Sequence, residues 1–194
     1  MRNIFILSSI ALIGCSKEKM VTNNTSSEET SVAVTEQVEE KKDFSYLQDL
    51  SDEKQKAYEQ FAQSKNLSLL EDFKPEEILL IYLHSCDMLD TETVYTLTYN
   101  NSAFSTFEMF QEEYNTYLLS VMQQMVIDYR FYNSISANDP YIKPIKPLEA
   151  DQSFVVINGS YGLNSYSTIM MLKKEGGIWK VDSYDLIQHL KETN

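Results

Sequence analysis

His84 and Asp87 stand three residues apart in an apolar helical stretch, so their side chains can share one helix face. An imidazole beside a carboxylate is a pairing suited to general acid–base transfer. Asp128 and Arg130 alternate in a stretch that reads as the start of a strand, which would point both the same way. Tyr82, Tyr129 and Tyr132 add hydroxyls able to donate to a developing oxyanion. Each group also has a structural reading. His84 can satisfy a helix end, Asp128 and Arg130 can form an ion pair, and tyrosines commonly line the rim of a core.

Other chemistries lack their signatures. There is no Gly-rich phosphate loop, no cysteine pair or His-x-x-x-His spacing for zinc, and no serine-hydrolase elbow. The carboxylate pairs Glu76-Glu77 and Glu112-Glu113 fall where solvated helix faces are expected, and calcium loops need closer alternation with glycine. No cofactor is implied. The net charge of −13 makes nucleic acid a poor partner, because binding it needs a basic patch that displaces counterions.

Whatever these residues do, the front of the chain assigns them an address. Arg2 is a short basic start, and Ile4 to Ile13 is an apolar run of about ten residues, where a bilayer span takes roughly 20. That is the pattern of a secretory signal. Leu12-Ile13-Gly14-Cys15 resembles the lipobox of bacterial lipoproteins, in which the cysteine thiol is acylated and the peptide cut before it. The resemblance implies a signal peptide over 1–14 and a diacylglyceryl group on Cys15. Two acyl chains suffice for stable anchoring. The expected location is a cell membrane, lipid-anchored and facing outside the cytoplasm. An ordinary signal peptide with an incidental cysteine is the competing reading. Cys86 is then the one remaining thiol, so no intramolecular disulfide is possible, and its apolar surroundings predict a buried structural cysteine.

Residues 15–43 form the expected lipidated tether. Ser16 to Asp43 holds no aromatic residue and carries seven acids against four lysines, a composition that predicts disorder. Residues 44–72 read as a helical linker segment. Ser51 is placed as an N-cap, with Asp52 and Glu53 in the first turn of a helix to Lys65. Tyr58, Phe61 and Ala62 supply its apolar face, which Leu47 and Leu50 extend weakly; docking of this face on the main domain is expected.

The domain proper is expected over 73–194. Pro75-Glu76-Glu77 opens a helix ending near Leu89, and Ile78 to Leu83 is apolar nearly all round. Asp90 should cap a short helix from Thr91 to Thr98. Ser105 with Glu108 matches a capping box, and Phe107, Phe110, Tyr114, Leu118, Val121, Met122 and Met125 keep one helical stripe behind it. The pattern then turns towards a strand through Phe131 or Ile135. Pro140, Pro144 and Pro147 make the following stretch a loop or an edge. Gln152 to Tyr161 is the next strand, with a turn at Gly162 and Asn164.

Gly176-Gly177 interrupts two apolar runs and predicts a hairpin turn. The register follows: Leu172 faces Val181, Lys174 faces Trp179 and Met170 faces Ser183. On the other face Lys173 meets Lys180, a like-charge pair that should be wet, and Met171 meets Asp182. The Leu172 and Val181 face should carry the core. Asp185 is placed as the cap of a last short helix to Leu190. Helices first and an antiparallel sheet after them make an α+β domain.

The layout of Pro75-Glu76-Glu77-Ile78, Asp90-Thr91-Glu92-Thr93-Val94-Tyr95, the long helix and the terminal Gly177-Ile178-Trp179-Lys180-Val181 strand resembles NTF2-like domains of small Gram-positive lipoproteins. The resemblance covers about Phe73 to Tyr184. It implies a cone: N-terminal helices packed on a curved antiparallel sheet, often around a pocket. It also implies either a non-catalytic module binding a protein or small molecule, or an isomerase- or hydratase-type enzyme. For the enzyme the pocket candidates are Tyr82, His84, Asp128, Arg130 and Tyr132. An open interior holding His or Asp beside tyrosines would favour the enzyme, and a filled interior would favour binding.

Overall fold

The computed structural model describes residues 44–99, 101–144 and 146–193. The leader, the Leu12-Ile13-Gly14-Cys15 motif and the tether lie outside the described residues.

The described chain opens with a 3₁₀ turn at Tyr46–Asp49. Helix α1 spans Asp52–Ser64, and the Ser51 side chain accepts from the Lys54 amide at 3.4 Å, as its N-cap role requires. Leu47 and Leu50 belong to the preceding turn rather than to this helix. Helix α2 spans Pro75–Asp87, and the Glu77 carboxylate reaches back to the Lys74 amide at 2.8 Å. Lys54 of α1 also pairs with Glu77, which ties the two helix starts together. Ile78 through Leu83 are all buried, so α2 is the central rod on which the rest packs.

Helix α3 covers Thr91–Thr96, two residues shorter than the sequence suggests. Asp90 caps it, accepting from the Thr93 amide at 3.0 Å. The chain leaves the helix early because Thr98 and its neighbours join the sheet edge: Tyr99 N donates to Val181 O at 2.8 Å and Val181 N to Leu97 O at 2.8 Å.

The long helix starts one residue later than Ser105 predicts. Thr106 is extended and its hydroxyl accepts from the Met109 amide, so the residue three along is a methionine and no capping box forms. The helix runs as α4 (Phe107–Glu113), one π-helical turn (Tyr114–Leu118) and α5 (Leu119–Asp128). Phe110, Tyr114, Leu118 and Met122 are buried at successive steps of four. Such a stripe drifts around a helix of 3.6 residues per turn, and the wider π turn absorbs the drift.

Four strands follow: β1 (Ser134–Ala137), β2 (Gln152–Tyr161), β3 (Asn164–Glu175) and β4 (Ile178–Val181). They form a curled antiparallel sheet in the order β1-β2-β3-β4. With the helices it makes an α+β fold. Gly176 and Gly177 turn the last hairpin at φ 60° and 90°, values costly for side-chain-bearing residues. Its register is Leu172↔Val181, Lys173↔Lys180 and Lys174↔Trp179, as expected. Pairing stops at Val181, so Ser183 faces no strand residue and instead opens helix α6 (Ser183–Thr193). Asp182, not Asp185, supports that helix start, accepting from the Asp185 amide at 3.4 Å.

Lys173 and Lys180 are not left wet as expected: Lys180 is buried and Lys173 half-buried. Lys173 pairs with Asp182 at 2.7 Å and Lys180 with Glu175 at 2.5 Å. Each lysine thus has its own carboxylate, and the like-charge contact across the ladder is neutralised locally. Leu172, Val181, Met170, Val155 and Ile157 face the helices and complete the core. Phe154 and Val156 are buried on the opposite sheet face, as strand alternation demands.

Candidate functional site

Four side chains of α2 show how the candidate groups are distributed. Tyr82 is fully buried on the side facing the last hairpin, and its hydroxyl shares a 2.7 Å hydrogen bond with Ser183 Oγ. His84 points towards α1, its ring edge-on to Tyr58 at 5.7 Å between centroids. Burial holds the His84 imidazole below its usual pKa. Cys86 is buried as expected and accepts from the Tyr114 hydroxyl at 3.7 Å; burial pushes its thiol up to about 12, which leaves it inert as a nucleophile. Asp87 is exposed.

The strand expected to carry Asp128 and Arg130 is not there. Met122, Met125, Val126 and Tyr129 continue the buried stripe at spacings of three and four, so α5 runs on to Asp128. Tyr129 closes that helix and Arg130 lies in the turn after it, before β1 begins at Ser134. The two residues therefore share neither a strand nor, among the described contacts, an ion pair. Asp128 Oδ1 accepts from Gln124 Nε2 at 2.7 Å, one turn back along α5. Tyr132 stacks on Tyr46 with centroids 6.3 Å apart and donates to Asp49. Burial, followed by the Asp49 carboxylate, raises its pKa above the usual phenol range.

The five pocket candidates thus do not converge: Tyr82, His84 and Tyr132 lie apart, only Asp128 and Arg130 border a common groove, and four of the five have partners of their own. The space between helices and sheet is filled by side chains such as Tyr82, Tyr114, Leu118, Met122, Val155 and Leu172, each at most 2% exposed.

What does converge lies at the C-terminal end of α5. There the β2–β3 hairpin extends past both its neighbours: β1 pairs with β2 only up to Asn158, and β4 pairs with β3 only from Leu172. Tyr166 and Thr168 reach from β3 to the helix end. The Tyr166 hydroxyl donates to the Asp128 carbonyl, and the Tyr129 hydroxyl donates to Thr168 Oγ1 at 2.6 Å. Gly159 faces Tyr166 in the ladder, and a Cβ there would lie 2.4 Å from the tyrosine ring. The glycine is therefore the floor on which that ring lies.

Between hairpin and helix end is an open groove of about 740 Å³, lined by Ile127, Arg130, Phe131, Ser160, Ser167 and Tyr166 among others. A second hollow of about 500 Å³ along α5 shares Asp128, Tyr129 and Thr168 with it. Ile127 is 67% exposed and Phe131 74% exposed. The chain matches no family model, no curated protein and no solved structure. The groove must therefore be interpreted from its own residues.

Of the residues singled out in the sequence, Asp128 and Arg130 fall at this groove, together with Tyr129. Ile127, Phe131, Tyr166 and Gly159 were not. Phe131 carries a readable signal, a large ring just past an amphipathic helix. The Gly159–Tyr166 contact depends on cross-strand register and has no local signature.

Proposed function

We propose that this protein is a lipid-anchored, extracytoplasmic lipoprotein carrying a non-catalytic binding domain of NTF2-like type. In this reading it binds through the groove between α5 and the β2–β3 hairpin rather than through the interior of a cone. The anchor rests on the apolar leader and Leu12-Ile13-Gly14-Cys15. The observation that carries the binding role is the pair Ile127 and Phe131, two large apolar side chains left mostly in water beside a groove. Adjacent exposed apolar groups beside a hollow mark a surface that gains by being covered. The curled sheet and the helices packed on it suit the NTF2-like assignment. Among the described residues, His84, Asp128 and Tyr132 lie apart rather than aimed at one point.

Two measurements test this. With a metabolically supplied fatty acid, the wild-type chain is expected to take up label and sediment with membranes, and Cys15→Ser to lose both. A labelled Cys15→Ser chain would end the lipid assignment. For the groove, the uncharged dye Nile red should brighten on the folded chain. An Ile127→Ser/Phe131→Ser variant should lose that signal while keeping its unfolding midpoint. Undiminished dye fluorescence in the double variant would place the binding surface elsewhere.

A further inference from the structure

We propose that the groove takes an amphipathic carboxylate, its acid head held by Arg130 and its apolar tail covered by Ile127 and Phe131. The inference rests on the groove-binding reading above and names the ligand class.

The described lysines at 54, 65, 173, 180 and 191 are each held by a carboxylate. Arg130 is exposed, has no ion-pair partner among the described residues, and is the one cation lining the groove. In a chain of net charge −13, a guanidinium left without an acid beside exposed apolar side chains is a site for an anion brought from outside. Its planar fork suits the two oxygens of a carboxylate.

Asp128 borders the same groove and would repel such a head. Its carboxylate is held back along α5 by Gln124, which lines the adjoining hollow and not this groove. The hydrogen bond from Gln124 occupies one carboxylate oxygen of Asp128, while Arg130 has no such partner among the described residues. Ser160 and Ser167 also border the groove from β2 and β3, where the Ser167 hydroxyl is already committed to Asn158 Oδ1 at 2.5 Å, so the acid head rests on Arg130. Ile127 and Arg130 flank one turn, with the Arg130 amide donating to the Ile127 carbonyl at 3.4 Å. Phe131 follows directly, so head and tail contacts come from a single short segment. A medium-length alkyl acid meets both requirements, whereas an alcohol or a cation of the same length meets only one.

The test uses the full chain carrying Cys15→Ser, so that no acyl group competes for the groove. Sodium octanoate and 1-octanol are titrated while backbone amide resonances are followed by NMR. Octanoate should shift the amides of Arg130, Ser167 and Thr168 and bind about tenfold more tightly than octanol, the scale of one charge-assisted hydrogen-bonded pair. Arg130→Gln should bring octanoate down to the octanol affinity with the remaining spectrum unchanged. Equal binding of the two probes, indifferent to Arg130→Gln, would overturn the carboxylate assignment and leave the groove reading standing. Shifts from neither probe at these amides would overturn both.

Discussion

Tyr82 could be a proton donor for a reaction or a strut, and its surroundings decide between the two. Its hydroxyl shares a hydrogen bond with Ser183 Oγ, which also accepts from Thr98 Oγ1 at 3.3 Å. All three residues are buried, and burial drives the Tyr82 pKa far above the phenol range. A phenol so enclosed has no path to a substrate, and its partner begins α6. Its role is to fasten the start of the last helix to the central one. Tyr82→Phe removes one partner and leaves Ser183 with Thr98 alone. The expected cost is about 1–2 kcal/mol, the usual penalty for breaking a buried hydrogen bond. It is read as a lower urea midpoint with unchanged slope, and an unchanged midpoint would mean that the hydroxyl carries no such load.

At the scale of elements, the β2–β3 hairpin is the part whose geometry the groove depends on. The Tyr166 ring lies on Gly159 and its hydroxyl holds the Asp128 carbonyl, so one contact fixes hairpin and helix end together. Gly159→Ala puts a methyl where the ring now is. The ring must swing away, and the helix end loses its hydrogen bond. Overpacking of this kind costs about 1–3 kcal/mol, and octanoate-induced shifts at Ser167 and Thr168 should weaken with it. Gly159→Ala with native stability and native shifts would show that the ring has room to move. The elements also show what the sequence makes legible and what it does not. Gly176-Gly177, Ser51 and Asp90 are legible because each acts within three residues of itself. The strand over Gln152–Tyr161 is legible because apolar β-branched residues are dense there. Asp128 and Arg130 were misassigned because the β-branched and aromatic residues from Val126 to Phe131 read as a strand. Tertiary burial of Met125, Val126 and Tyr129 against α2 and β3 keeps the segment helical instead. Tyr46, whose hydroxyl donates to the Val126 carbonyl at 2.7 Å across 80 residues, has no local signal at all.

For the whole molecule, the buried tyrosines set the upper limit of stability against pH. Burial raises the pKa of Tyr46, Tyr82 and Tyr114 above the unfolded value near 10. Below about pH 10 folded and unfolded chains both keep these protons and nothing is lost. As pH rises past that value the unfolded chain ionises first, so each tyrosine removes about 1.4 kcal/mol of stability per pH unit. Lys173 acts in the same direction. Partial burial lowers its pKa, but the hydrogen bond and charge of Asp182 outweigh that and leave it above the usual lysine range. At the acid end burial depresses His84, so its contribution is present above about pH 6.5 and is lost as pH falls through the folded value. Burial likewise holds the Cys86 thiol up at about 12, so its contribution is lost first, as the unfolded thiol ionises at about 8.5. Stability should therefore be flat between about pH 7 and 8, decline gently above that and fall steeply above about 10. Net repulsion in so acidic a chain also grows with pH, but it is screened by salt, whereas the ionisation of enclosed phenols is screened much less. Urea unfolding at pH 9 and 11 in 1 M salt separates the two. The wild-type loss should persist there, and Tyr114→Phe should shrink it by removing the ring hydroxyl that now donates to Cys86. A loss abolished by salt would assign the alkaline limit to surface charge instead.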